Sequence, residues 1–142
     1  MKSIPALTDV TRVPLNRFPS DTGTVTVGEG CHSLPFAVER FFLVTGVPEG
    51  AVRGRHAHKR CAQALICVSG NLQVSVSDGS ETHRYFLSES GEALIIPPLI
   101  WAEQHKHSSD AILLVLASHL YDADDYIHSF DELVLVRKTA SI

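Results

Sequence analysis

Short apolar runs, each broken by Gly, Pro, Asn, Asp or Ser, set what this chain can fold into. Runs of roughly four to eight residues rich in Val, Ile, Leu and Phe read as strands; an amphipathic helix needs apolar positions recurring every three to four residues over a longer stretch. Such stretches are nearly absent, so an all-β sandwich or barrel is expected. The expected strands are Thr24–Val27, Glu39–Thr45, Ala62–Val68, Leu72–Ser77, Thr82–Leu87, Ala93–Ile96 and Ala111–Ala117. Leu72, Val74 and Val76 alternate with Gln73, Ser75 and Ser77, which predicts one face inward and one toward solvent. The run Ile112 to Leu116 is apolar at every position and predicts a strand covered on both faces. Ser69-Gly70-Asn71 and Asp78-Gly79 tolerate positive φ and read as hairpin turns. Helix is expected only near the end, where Asp122 is placed to cap a short segment through Tyr126 to Phe130.

The 142 residues show no repeat, linker or low-complexity tract and read as a single domain spanning 1–142. The net charge is −4 and no Lys/Arg block is present, so a nucleic-acid partner is not expected. No apolar run approaches the roughly 20 residues that cross a bilayer, and the opening MKSIPALTD lacks the apolar core of a signal peptide. Cys31, Cys61 and Cys67 are odd in number and form no C-x-x-C pair, which argues against a disulfide framework and for a reducing compartment. A cytoplasmic protein without a membrane partner is the expectation.

Eight histidines are the compositional oddity. The informative segment is Arg53-Gly54-Arg55-His56-Ala57-His58-Lys59, followed by Gln63 and Gly70. Residues two apart on a strand share a face, so His56 and His58 project together. The chain here resembles the cupin superfamily of small jelly-roll barrels, whose first motif is G-x5-H-x-H-x3–4-E-x6-G. Gln63 stands where the metal-binding glutamate is expected, and Ala102 stands where the second motif has its histidine. Two imidazoles, an amide and a methyl are too few strong donors for a divalent ion, so no metal and no other cofactor is expected. The imidazoles are then free for acid–base work, because histidine titrates near neutrality.

Further motifs narrow the resemblance. Pro97-Pro98-x-x-Trp101, Ser108-Ser109-Asp110 with its following strand, Tyr121-Asp122-x-x-Asp125-Tyr126-Ile127 and Pro35-Phe36-x-x-x-Arg40 are similar to the nucleotide-sugar 3,4-ketoisomerases. The likeness runs from about Asp21 to Phe130. It implies a metal-free cupin that converts a dTDP-4-keto-6-deoxyhexose to its 3-keto isomer through an enediol. It also implies a homodimer that exchanges N-terminal strands, about residues 1–30, and His56 and His58 as the catalytic pair. One histidine would act at carbon while the other relays protons between the two oxygens. Phe41-Phe42-Leu43 departs from the family, which carries tyrosines in that strand, and Trp101-Ala102-Glu103 departs from its Trp-His-Glu.

Substrate contacts are expected from Arg53, Arg40, Gln63, Lys59, Trp101, Glu103 and Tyr121, with Tyr121 a candidate replacement for the missing hydroxyl. The basic cluster around the histidines suits a diphosphate in an otherwise acidic chain. His105 and His107 are read as exposed, and His32, His83, His119 and His128 as surface or packing residues. Tyr121 and Tyr126 are also read as seating the C-terminal segment on the barrel. Two rival readings are a nucleotide-sugar-binding cupin without catalysis and a nucleotide-sugar epimerase. The second would need a His–Asp pair and a tyrosine acid, and the sequence displays no obvious set of that kind.

Overall fold

The computed structural model describes residues 3–89 and 91–141. Twelve strands run in chain order: β1 Thr11–Pro14, β2 Asn16–Ser20, β3 Gly23–Val27, β4 Arg40–Thr45, β5 Arg53–His58, β6 Gln63–Ser69, β7 Asn71–Ser77, β8 Thr82–Ser88, β9 Glu92–Ile96, β10 Trp101–His105, β11 Ile112–Ala117 and β12 Tyr126–Ile127. One α-helix among the described residues, α1 Phe130–Ala140, follows. Two five-stranded antiparallel sheets, β1-β9-β6-β11-β4 and β12-β5-β10-β7-β8, face each other as a jelly-roll-like sandwich and do not close into a continuous barrel.

Alternation builds the core. Leu72, Val74 and Val76 of β7 are at most 1% exposed and meet Leu65, Cys67, Leu94, Leu113 and Val115 from the opposite sheet. The outer side of β11 is half-buried: Leu114 and Leu116 pack with Leu15, Leu34, Ile66 and Ile95, so the N-terminal segment supplies the second cover expected for this strand. A third cluster, Ala57, Trp101, Ile127 and Leu133, lies beneath α1 on the outer side of the second sheet. The β2–β3 hairpin pairs only with itself, and its facing residues Phe18 and Val25 are 59% and 61% exposed.

Asp78-Gly79 turns the β7–β8 hairpin, with Asp78 accepting hydrogen bonds from the backbone N–H groups of Ser80 and Glu81. Ser69-Gly70-Asn71 does not make a hairpin, because β6 pairs with β9 and β11 while β7 pairs with β8 and β10. The same positive-φ residue here carries the chain from one sheet to the other. The helix also differs from expectation. Asp122 caps only a 3₁₀ turn, Ala123–Asp125, through the N–H of Asp124, whereas α1 starts at Phe130 behind a Ser129 cap. Two strands of the N-terminal segment, β1 and β2, fall outside the expected set because Pro14, Pro19 and polar residues interrupt their apolar pattern.

Gly70 has φ of +67°, and a Cβ there would run into Ser108 Oγ and approach Ala111 Cα at 2.9 Å. Gly70→Ala combines left-handed strain with overpacking and is expected to cost about 2–4 kcal/mol, read as a lowered urea midpoint.

Candidate active site

β5 reaches the site through a bulge. Its register against β10 slips between Ala102 and Glu103, which pair with His56 and Gly54. Gly54 and Arg55 take positive φ, and a Cβ on Gly54 would stand 2.9 Å from the Ala102 carbonyl oxygen. The extra residue, Arg55, swings outward to within 3.7 Å of Glu103, and His56 and His58 are left on the inner side. Their rings meet edge to face, with centroids 5.0 Å apart.

Both imidazoles are fixed by the same nitrogen. Nδ1 of His56 lies 3.0 Å from the Gly54 carbonyl oxygen, and Nδ1 of His58 lies 3.0 Å from Asp125 Oδ2. A carbonyl and a carboxylate only accept, so each Nδ1 carries the hydrogen and each Nε2 presents its lone pair. Burial lowers the His56 pKa, the Gly54 bond opposing it and His128 adding to it. Burial also carries His58 down to about 4; the bond and charge of Asp125 raise it, while His56 and Arg40 lower it further. At neutral pH both rings are uncharged bases.

Asp125 is 4% exposed and arrives from the 3₁₀ turn before β12. Its burial raises the carboxyl pKa, but the backbone N–H of Arg60, the His58 ring and the N–H of Cys61 outweigh that and hold it below the usual range. The next residue, Tyr126, pairs with His58 across β12–β5, and its ring centroid lies 4.4 Å from His58 and 5.0 Å from His56. His128 stacks on the far side of Tyr126 at 5.5 Å and stands 6.2 Å from His56.

The opposite wall comes from the first sheet. Gln63, Ala117 and Arg40 occupy one cross-strand row of β6, β11 and β4. Arg40 lies over the Phe42 and Tyr121 rings, at 5.5 and 5.7 Å. Arg40 Nε, His58 Nε2 and Gln63 Nε2 are all buried without a hydrogen-bond partner. Buried polar atoms are rarely left unpaired, so these three have hydrogen-bonding capacity that a polar ligand can meet. An open cleft of about 490 Å³, lined by Arg60, Tyr121, Asp122 and Asp125 among others, adjoins them.

The structure therefore gathers His56, His58, Arg40 and Gln63, with Tyr121 on the rim at 67% exposure. Arg53 sits at the opposite end of β5, paired with Gln104 and close enough to His107 to lower that ring's pKa, though burial contributes more. Lys59 is exposed, with its backbone N–H bonded to the Asp125 carbonyl. Trp101 and Glu103 do not join the group. They occupy the outer face of β10, where Trp101 packs edge to face with Phe130 at 5.6 Å and donates its indole N–H to Glu103. His105 and His107 are half-buried rather than exposed; His105 Nε2 lies 3.0 Å from Ser75 Oγ, and both ring nitrogens of His107 are unpartnered. From the sequence, Asp125 and Tyr126 are only part of the Tyr121–Ile127 motif, with Tyr126 as a packing residue and His128 as a surface or packing residue, and none of them is assigned to the site. Together with His58 they supply the His–Asp pair and neighbouring tyrosine that the sequence did not display. Asp125 lies 67 residues from His58, and the Asp125-Tyr126 dipeptide was the available signal.

The donor set does not suit the metal usual in cupins. Ala102, the register partner of His56, offers a methyl. His58, Cys61 and Asp125 bring donor atoms within 4.8 Å of one another, but both carboxylate oxygens are already engaged by His58, Arg60 and Cys61.

A family model described as FdtA: WxcM-like, C-terminal, matches residues 8–138. A TDP-4-oxo-6-deoxy-α-D-glucose-3,4-oxoisomerase from Aneurinibacillus thermoaerophilus is 34% identical over 109 residues, which cover 77% of this chain and 78% of that protein. The crystal structure of QdtA, a sugar 3,4-ketoisomerase from Thermoanaerobacterium thermosaccharolyticum in complex with TDP, superposes with a TM-score of 0.91 at 31% identity. That match covers 96% of this chain and all of the other. A His-to-Asn variant of the same enzyme in complex with TDP-4-keto-6-deoxyglucose gives a TM-score of 0.90 at 30% identity, over 94% and 97% of the two chains.

Asp125→Asn removes the acceptor that fixes the His58 tautomer. Turnover is expected to fall roughly 100-fold or more with the fold retained, read from kcat beside a circular dichroism spectrum. The unfolded chain protonates His58 near 6.5 and the folded one only near 4, so stability is full above 6.5 and falls as pH drops between those values. Asp125, His56 and Arg40 act on that ring, and Tyr126 packs against it. The loss amounts to roughly 3 kcal/mol, read from urea unfolding at pH 7 and pH 4.5, with a shallower pH slope expected for His58→Gln.

Proposed function

The chain belongs to the WxcM-like, C-terminal (FdtA) family, and we propose that it is a sugar 3,4-ketoisomerase that converts a TDP-4-keto-6-deoxyhexose to its 3-keto isomer. The observation that carries this reading is the pair of neutral imidazoles, each tied through Nδ1 and presenting its Nε2, beside the half-buried Arg40, whose Nε is buried without a hydrogen-bond partner. The reaction moves a carbonyl to the adjacent carbon. A proton leaves C3, the C3–H electrons form the C3–C4 double bond of an enediol, and a proton arrives at C4. His58 Nε2 takes the C3 proton, and His56 stands beside it as the second base. Arg40 meets the negative charge that develops on oxygen, where a fixed cation in a dry site has its largest effect. Gln63 hydrogen-bonds the sugar, and Lys59, at the same end of β5 as His58, attracts the diphosphate. No step needs a metal or other cofactor, so activity is expected to survive a chelator.

The His58–Asp125 pair next to Tyr126 also favours one rival, an epimerase, which removes protons at the two carbons flanking the 4-keto group and leaves the ketone in place. Proton NMR of TDP-4-keto-6-deoxyglucose with the protein in D2O separates the two. A 3-keto product deuterated at C4 is expected; a 4-keto product deuterated at C3 and C5 means epimerisation. Saturable TDP binding with neither product means a binding module. His56→Ala and His58→Gln are each expected to lower turnover by 100-fold or more with TDP affinity kept within about tenfold.

The free thiols of Cys31, Cys61 and Cys67 suit a reducing cytoplasm, and no helix among the described residues is long and apolar enough to cross a membrane. The β2–β3 hairpin supports a homodimer. A two-stranded ribbon is marginal in water, and this one exposes its facing Phe18 and Val25. Exchange of this N-terminal segment between two copies covers that pair. A twofold mass in light scattering is expected, reduced to the monomer mass by Phe18→Asp with Val25→Asp.

A further inference from the structure

Isomerisation moves two protons, one on carbon and one on oxygen, and the histidine pair suits only the first. To turn a 4-keto sugar into a 3-keto sugar, the hydrogen on O3 must leave and O4 must gain one. A relay through His56 has only one nitrogen to work with, because its Nδ1 is held by the Gly54 carbonyl oxygen, so the ring cannot take a proton at one nitrogen while giving one from the other. A hydroxyl has no such difficulty. It accepts one proton while giving up another and stays neutral throughout.

The inner walls offer few hydroxyls. β4 presents Arg40 and Phe42, β5 presents His56 and His58, β6 presents Gln63, and β10 presents Ala102 opposite His56. Among the described residues packed against both imidazoles, Tyr126 of β12 carries one. It is half-buried and held from behind by the stacked His128 ring, while Tyr121 lies farther out, 5.7 Å from Tyr126. Resting on the isomerase reading above, we propose that Tyr126 is a catalytic residue that passes the proton from O3 to O4 of the enediolate, in place of the second histidine or Tyr121.

The step balances without an oxidant. His58 breaks the C3–H bond, whose electrons become the C3–C4 double bond as the carbonyl electrons move onto O4. The Tyr126 hydroxyl protonates O4 while its oxygen takes the hydrogen from O3. The charge on O3 then collapses to the C3 carbonyl as the double-bond electrons take at C4 the proton carried by His58 Nε2, which returns His58 to its neutral form, and the phenol ends as it began.

Carbon exchange and isomerisation separate at this point, and that separation is the test. With Tyr126→Phe in D2O, TDP-4-keto-6-deoxyglucose still forms the enediolate and reprotonates at C3, so deuterium still enters C3 of the substrate above the buffer rate. Release of 3-keto product is expected to fall roughly 100-fold or more relative to that exchange. Tyr121→Phe leaves the ratio at the wild-type value. A Tyr126→Phe enzyme whose ratio stays within about threefold of wild type overturns the proposal, as does equal loss of exchange and product in a variant that still melts and binds TDP like wild type. A wild-type enzyme that gives neither exchange nor product overturns the isomerase reading itself. Replacement of Tyr126 by 3,5-difluorotyrosine supplies a readout independent of the truncation. Its more acidic phenol is expected to move the basic limb of the kcat profile to lower pH, and an unmoved limb overturns the proposal.

Discussion

The Asp125 carboxylate is the fixed point on which this site depends. One buried oxygen holds His58 and the N–H of Cys61, and the other holds the N–H of Arg60. A charge taken out of water is costly unless its lone pairs are occupied, and here the hydrogen bonds occupy them. The same bonds join the β5–β6 connection to the turn that leads into β12. Fixing one imidazole tautomer therefore also sets the height at which Tyr126 enters the groove. Geometry and protonation state come from one side chain.

Desolvation then decides the chemistry. An exposed histidine beside a carboxylate is readily protonated at neutral pH, whereas burial keeps His58 neutral despite Asp125. Positive charge is supplied separately by Arg40, across the groove on the other sheet. Base and cation thus occupy different walls, the arrangement on which the proposed proton transfer rests. Arg40 Nε, His58 Nε2 and Gln63 Nε2 are the atoms of this arrangement that have no partner within the protein.

Much of this was legible in the sequence, and what was not has definable causes. The two-residue spacing of His56 and His58 identified a shared face, and the alternation in β7 identified the core. Alternation says which residues go together but not which set faces inward. Trp101 and Glu103 were rightly grouped, yet the pairing of Ala102 with His56 sends them to the outer side. Turn chemistry is local, so Gly70 signalled a sharp bend without saying whether the next strand stays in the same sheet. Asp125 and Tyr126 lie far from the histidines along the chain, and only the closing of β12 onto β5 brings them together.

β5 and β12 have two sides with two owners. Inward they carry His58 and Tyr126; outward they carry Ala57 and Ile127, which together with Trp101 and Leu133 form the seat of α1. Arg137 adds a bond from α1 to the Leu99 carbonyl, and the Leu99 N–H in turn holds the carbonyl of His58. The helix touches no reacting atom, yet it is separated from them by a single layer of backbone. For anyone engineering this scaffold, a fusion or label at the carboxyl end is therefore mechanically closer to the chemistry than its distance along the chain suggests.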